Sequence, residues 1–296
     1  MNKIESIDQV KDALKKDGIC FGVVNPNKYH EWKKELPNSV SKSSLVDFAS
    51  NPYAFRWAQL EGEKRASSAM RQGSMLDCLV LTPELFAESY VVEDINRRTK
   101  DGKARAQALE AEGKQVVAPA EYDDLRRAAQ VANKAIHAIA AGNEVLTQVA
   151  IWSRITELCG ESLPAPLTVS GMFDILFTDG VQPHIVDLKS SSINLNSDEE
   201  VTRNICSFKY GLQAAMYCDL FRAAFGSDPC FSLLYLSTNK PFQTRQVHFS
   251  EGDIEVYRQR YLMRLLDFSE CCASDFWGDA HLSDMFFSMP HWELNK

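Results

Sequence analysis

The chain has 296 residues, 45% of them hydrophobic and 24% charged, with a formal net charge of -8. These are ordinary globular values, and a pI near 5.4 excludes a surface built throughout for nucleic acid while leaving room for a local basic channel. No run reaches the roughly 18 apolar residues of a membrane span, and the charged N-terminus MNKIESIDQVKDALKKDG has no apolar signal core, so the expectation is a cytoplasmic protein without a membrane partner.

Residues 41–52 (SKSSLVDFASNP) predict a helix capped by Ser41 or Ser43 and stopped at Asn51-Pro52. Phe55 and Trp57 follow; core packing is the favoured reading, a wedge at a DNA end the alternative. Residues 66–82 predict a mostly buried helix passing through Gly73, and residues 94–114 read as a long charged loop. Residues 119–141 predict an amphipathic helix with Pro119 near its start and Gly142 after its end.

The apolar period then changes. Residues 147–157, 167–177 and 184–188 predict three strands in a meander. Residues 198–224 predict one long helix, 230–237 and 243–249 two further strands, and about 251–272 a last helix. The sum is one α/β domain over 1–296 with a mixed central sheet flanked by helices. Its parts are a helical region to about 145, a sheet core over about 146–250 and a C-terminal helical region over 251–296. The cysteines at 20, 78, 159, 206, 218, 230, 271 and 272 form no C-x-x-C pair and read as small buried hydrophobes.

The chemistry concentrates in GMFDILFTDGVQPHIVDLKSS, residues 171–191. Asp174 and Asp187 fall on neighbouring strands, where buried carboxylates are costly unless paired or bound to a cation. A divalent cation with a preference for hard oxygen ligands removes that cost, and beside a phosphodiester it polarises the phosphoryl oxygen and activates water. Lys189, two residues after Asp187, points to the same strand face, where it can orient the water or stabilise charge developing on phosphorus. Leu188 points into the core while its carbonyl remains available as a ligand. The run NRRTKDGKAR supplies Arg97, Arg98, Lys100, Lys103 and Arg105, a candidate grip on a phosphate backbone. No Walker A, G-x-S-x-G, H-E-x-x-H or G-x-G-x-x-G motif competes.

Six segments resemble, in order, the RecE-type exodeoxyribonuclease VIII nuclease domain of phages and prophages, a RecB-like branch of the PD-(D/E)XK superfamily. They are GICFGVVNPNKYHEW with its Tyr29-His30 pair, SKSSLVDFASNPYAF, GSMLDCLVLTPELF, NRRTKDGKARAQ, GMFDIL…IVDLKSS and YGLQAAMY, spanning about residues 19–240. The resemblance implies a restriction-endonuclease-like core. Asp174, Asp187 and the Leu188 carbonyl would be metal ligands and Lys189 the catalytic lysine. Gln213 and Tyr217, four apart on one helix face, would contact the DNA end or hold Lys189. It further implies a Mg²⁺-dependent exonuclease, with Mn²⁺ as a substitute, acting on double-stranded DNA ends. Digestion would run 5′ to 3′ and leave 3′ tails for a RecT-like single-strand annealing protein; a homo-oligomer in a bacterial host cytoplasm is implied as well.

Two positions depart from the family pattern. Asp77 stands where its histidine is expected; aspartate can bind Mg²⁺ but, when ionised, donates no hydrogen bond to phosphate. Ser170 and Met172 replace the basic residues common before the first aspartate, which should weaken substrate binding. These departures define the alternative: a weakened or inactive nuclease fold that binds DNA ends or a host recombination or defence protein. A structure-specific endonuclease is a third reading.

Overall fold

The computed structural model describes residues 1–61, 68–178 and 182–278. The chain opens with α1 (Ile7–Lys16), β1 (Ile19–Val23), α2 (Pro26–Glu35), the two-residue β2 (Ser39–Val40) and α3 (Lys42–Ser50). Ser6 and Gln9 form a capping box at the start of α1, which turns Val10 and Leu14 inward. The predicted stop at Asn51-Pro52 ends α3 but also starts α4 (Pro52–Glu61): the Asn51 carboxamide accepts the Ala54 N–H at 2.9 Å, and Pro52 supplies the preset φ of a first turn. On α4, Phe55 packs among Phe48, Phe268 and Trp277, whereas Trp57 is 54% exposed, against the core reading of that residue.

Next come α5 (Ser68–Leu81), a 3₁₀ turn at Pro83–Leu85, α6 (Phe86–Ser89), β3 (Tyr90–Val92), α7 (Lys100–Ala111), β4 (Gln115–Val117) and α8 (Pro119–Ala140). The first residues of the predicted 66–82 helix, 66 and 67, lie outside the described residues. Most of the predicted loop at 94–114 is α7. Thr99 caps it by accepting the Gly102 N–H at 3.0 Å, and Ala106 and Leu109 anchor an otherwise polar helix.

β5 (Val145–Leu158), β6 (Glu161–Phe177) and β7 (His184–Ser191) form the expected antiparallel meander, each longer than predicted. Its turn at 179–181 lies outside the described residues, as do residues 279–296 of the C-terminal region. The predicted helix at 198–224 is two, α9 (Asp198–Ser207) and α10 (Tyr210–Phe225). The break comes where Lys209 turns left-handed at φ 56° and the Phe208 carbonyl leaves the helix to accept from Lys42 Nζ at 2.7 Å. β8 (Cys230–Ser237), β9 (Thr244–His248) and α11 (Glu251–Ser274) complete the chain.

The central sheet runs β1-β5-β6-β7-β8-β9, with β2 beside β6. β7 and β8 are parallel, joined across by α9 and α10, and β2 is parallel to β6; the other pairs are antiparallel. The architecture is thus α/β with a mixed sheet. Helices α3, α10 and α11 cover one face, α5 with α8 and α1 with α2 the other. β1, from the part read as helical, forms one edge of the sheet.

The pleat slips once, in both long strands at the same level. Residues two apart on a strand share a face, yet Phe173 packs under α10 and α11 while Ile175 packs under α5 and α8. In β5, Leu146 and Val149, three apart, pack on the same side. Between them lies Gln148, a non-glycine residue at φ 54°.

All eight cysteines are free, but the buried-hydrophobe reading holds only for Cys218; Cys159, Cys206 and Cys230 are exposed and the other four intermediate. Among the described residues, no helix is long and apolar enough to cross a membrane.

Candidate active site

A cavity of about 420 Å³ opens between α2, the start of α3, α5, the middle of β5–β7 and the start of α10. The strand pattern delivers the predicted trio to it: Asp174 from β6, Asp187 and Lys189 from β7. α5 lies close over β7 because residue 73 is glycine; a Cβ there would meet Ser190 Oγ at 3.2 Å. That approach puts Asp77 into the cavity wall, where its side chain meets the fields of Lys189 and Asp187.

Asp187 is 1% exposed. Its Oδ1 accepts from Gln213 Nε2 at 2.6 Å, and its Oδ2 is paired with Lys189 Nζ. Asp174 Oδ2 accepts the Leu188 backbone N–H at 2.8 Å. Gln213 therefore holds Asp187, not Lys189, and Tyr217 shares a hydrogen bond with the Gln213 side chain. Tyr217 lies over Gly171, where a Cβ would come within 2.8 Å of its ring. Ser170 and Met172, the departures from the basic pattern, both line the cavity; Ser170 accepts from Tyr29 Oη at 3.2 Å.

Electrostatics follow from burial. Desolvation, with Asp187 adding and Lys189 opposing, raises the Asp174 carboxyl well above the usual range. Desolvation raises Asp77 to about 7, with Lys189 opposing and Asp187 adding. For Lys189, burial works against the charge, but Asp187 and Asp174 outweigh it and hold the ammonium above the ordinary lysine value.

A family model described as a PDDEXK-like domain of unknown function (DUF3799) matches residues 41–281. The chain belongs to this PDDEXK-like family. No curated protein matches it. Among solved structures, a candidate exonuclease from Eubacterium rectale aligns over 88% of this chain and 96% of its own, at 16% identity and a TM-score of 0.53, a likeness of fold. SSO0001 (64% of this chain, 85% of its own, 14% identity, TM-score 0.27) and VC1899 from Vibrio cholerae (90% and 61%, 12% identity, TM-score 0.26) are too distant to carry an argument.

The basic run stands apart from the cavity. None of its residues is among the described residues lining the cavity, all five are exposed, and two are engaged: Arg97 with Glu110 at 3.2 Å and Arg105 with Glu93 at 2.9 Å. The positive charge in the cavity comes instead from Lys33, Lys42 and Lys189. Sequence reasoning missed Lys42 and Tyr210. The centre of the Tyr210 ring is 4.8 Å from Lys189 Nζ and 5.0 Å from Lys42 Nζ, within cation–π reach of both. The signal was present: Tyr210, Gln213 and Tyr217 fall at i, i+3 and i+7 on one helix face. Desolvation, with Lys189 adding, lowers Lys42 to about 8.

Among the described residues, no three His, Cys, Asp or Glu side chains are gathered into a ready-made metal cluster. The donor set nonetheless suits a hard divalent cation: Asp174 and Asp187 are carboxylates held beside each other in a buried cavity, and Asp187 Oδ2 has no hydrogen bond in addition to its ion pair.

Asp77 gives a stability test without substrate. An unfolded aspartate titrates near ~4, so the native carboxyl, at about 7, keeps a proton the unfolded chain releases. That stabilisation is complete below the unfolded value and lost as pH rises through the folded one. Metal-free Asp77→Asn should therefore melt at least about 2–4 °C above the wild-type chain at pH 8, with the gain shrinking as pH falls and vanishing below about pH 4 in differential scanning calorimetry.

Proposed function

We propose that this cavity is the active site of a divalent-cation-dependent exodeoxyribonuclease acting on linear double-stranded DNA. The observation that carries the reading is the convergence of Asp174, Asp187 and Lys189 in one buried cavity. Asp174 and Asp187 would hold Mg²⁺, or Mn²⁺ in its place, which when bound supplies Lewis-acid polarisation of the phosphoryl oxygen and an acidified water. Gln213 fixes the Asp187 carboxylate through Oδ1, and Tyr217 braces Gln213. Lys189, fixed by Asp187 and the Tyr210 ring, presents an ammonium where charge grows on the phosphoryl group. Asp77 adds a third acid to the wall, and Lys33 and Lys42 offer cations to the strand.

The cavity size supports end dependence. A space of about 420 Å³ is of the size that takes a nucleotide-sized group, as expected where one strand end is fed to the acids. The likeness to the RecE type supports 5′-to-3′ digestion, 3′ tails for a RecT-like annealing protein and a homo-oligomer. A second reading, a DNA-end binder without cleavage, is favoured by uncharged Ser170 and Met172 on the wall and by Asp77 at the histidine position.

The test uses purified protein, Mg²⁺, and linear or covalently closed circular duplex, with Lys189→Ala as control. Digestion of the linear form alone, lost in the variant, is expected. Cutting of the circle supports an endonuclease instead, and retained DNA binding with no digestion supports the end-binder.

A further inference from the structure

We propose that Gln148 supplies a third protein oxygen, its side-chain Oε1, to the divalent-cation site formed by Asp174 and Asp187. The inference rests on the cation reading above. The β5–β6 ladder pairs Thr147 with Ile175 and Val149 with Phe173, so Gln148 stands opposite Asp174, and both line the cavity. Opposed residues on antiparallel strands are close neighbours.

Two unfavourable features coincide at Gln148. Its side chain is 4% exposed, and Oε1 meets no hydrogen-bond donor among the described residues; a buried acceptor without a partner is destabilising. Its backbone is left-handed at φ 54° within a strand, a conformation that non-glycine residues rarely adopt and that concentrates at functional sites. The conformation is held in place, since the Gln148 carbonyl accepts the Val24 N–H at 3.1 Å. It also coincides with the level at which both strands change pleat. A glycine here would remove both penalties, so the structure keeps glutamine at a cost.

The free atom narrows the ligand. A carbonyl oxygen accepts, and a phosphate diester has no proton to give it, so the substrate backbone does not satisfy it. A hard cation does. A carboxamide is neutral and adds a ligand without adding to the repulsion among Asp77, Asp174 and Asp187.

Mn²⁺ binding to the whole chain without DNA, followed by calorimetric titration, tests this on the wild type, Gln148→Glu, Gln148→Leu, Gln148→Gly and Asp187→Asn. Gln148→Glu, nearly isosteric, should tighten Mn²⁺ binding at least tenfold. Gln148→Leu and Gln148→Gly should weaken it at least threefold, the glycine variant with its melting temperature preserved. Asp187→Asn should abolish it. If the wild type binds Mn²⁺ and Asp187→Asn does not, but Gln148→Glu binds no tighter than the wild type, the proposal is overturned and the cation reading stands. If the wild type binds no Mn²⁺, the cation reading fails and the proposal with it. Circular dichroism establishes folding, and the glutamate variant decides should the leucine variant fail to fold.

Discussion

Lys189→Met is expected to bind Mn²⁺ at least as tightly as the wild-type chain and yet to hydrolyse linear duplex at least about a thousandfold more slowly, on the order of 4 kcal/mol of transition-state stabilisation. The separation arises because Lys189 contacts Asp187 Oδ2, an atom a cation would use, without being a ligand itself. Removing the ammonium vacates that oxygen while deleting the positive charge beside the phosphoryl group. The same change leaves Asp187, 1% exposed, without its ion-pair partner, and stripping one member of a buried pair costs about 3–5 kcal/mol. The metal-free variant should therefore melt well below the wild type and recover when Mn²⁺ is added. Single-turnover rates and melting curves with and without Mn²⁺ check both halves.

Asp174→Asn should fail in the opposite manner, losing cation and cleavage together. Asparagine can still accept the Leu188 N–H through Oδ1, so the local fold survives. Mn²⁺ affinity should fall at least about a hundredfold, a change of about 2.7 kcal/mol, and cleavage should fall with it. Stability should move the other way. Burial and Asp187 raise the Asp174 pKa well above its unfolded value, so its stabilising protonation is complete below the unfolded value and lost as pH rises through the folded one. At pH 8 the metal-free asparagine variant should therefore be more stable than the wild type, which calorimetry in a chelating buffer measures.

Much of the site was legible because strand periodicity is simple. Asp187 and Lys189, two apart on an apolar run, had to share a face, and Asp174 on the preceding run had to lie nearby. Helical spacing put Gln213 and Tyr217 on one face, but their place at the site came from the family resemblance, and the choice of Asp187 as Gln213's partner depends on how α10 lies across the sheet. The misses have local causes. Neither Gly nor Pro marks the break at Phe208–Lys209; a tertiary bond from Lys42 to the Phe208 carbonyl makes it. Helix α7 was hidden by its polar composition, since only Ala106 and Leu109 are buried. Gln148 gave no signal at all, because strict alternation was assumed through the residue where the pleat fails. Asp77 was named from its place at the family's histidine position; what the sequence did not contain is the contact of Gly73 with β7 that brings it to the cavity wall.

The most direct measurement is release of acid-soluble nucleotide from uniformly labelled linear duplex by chelator-stripped protein, before and after addition of Mg²⁺. The proposed cation-dependent mechanism predicts no release before addition, steady release after it, and background release by Lys189→Met throughout. Release that is indifferent to Mg²⁺, or undiminished in Lys189→Met, would contradict it.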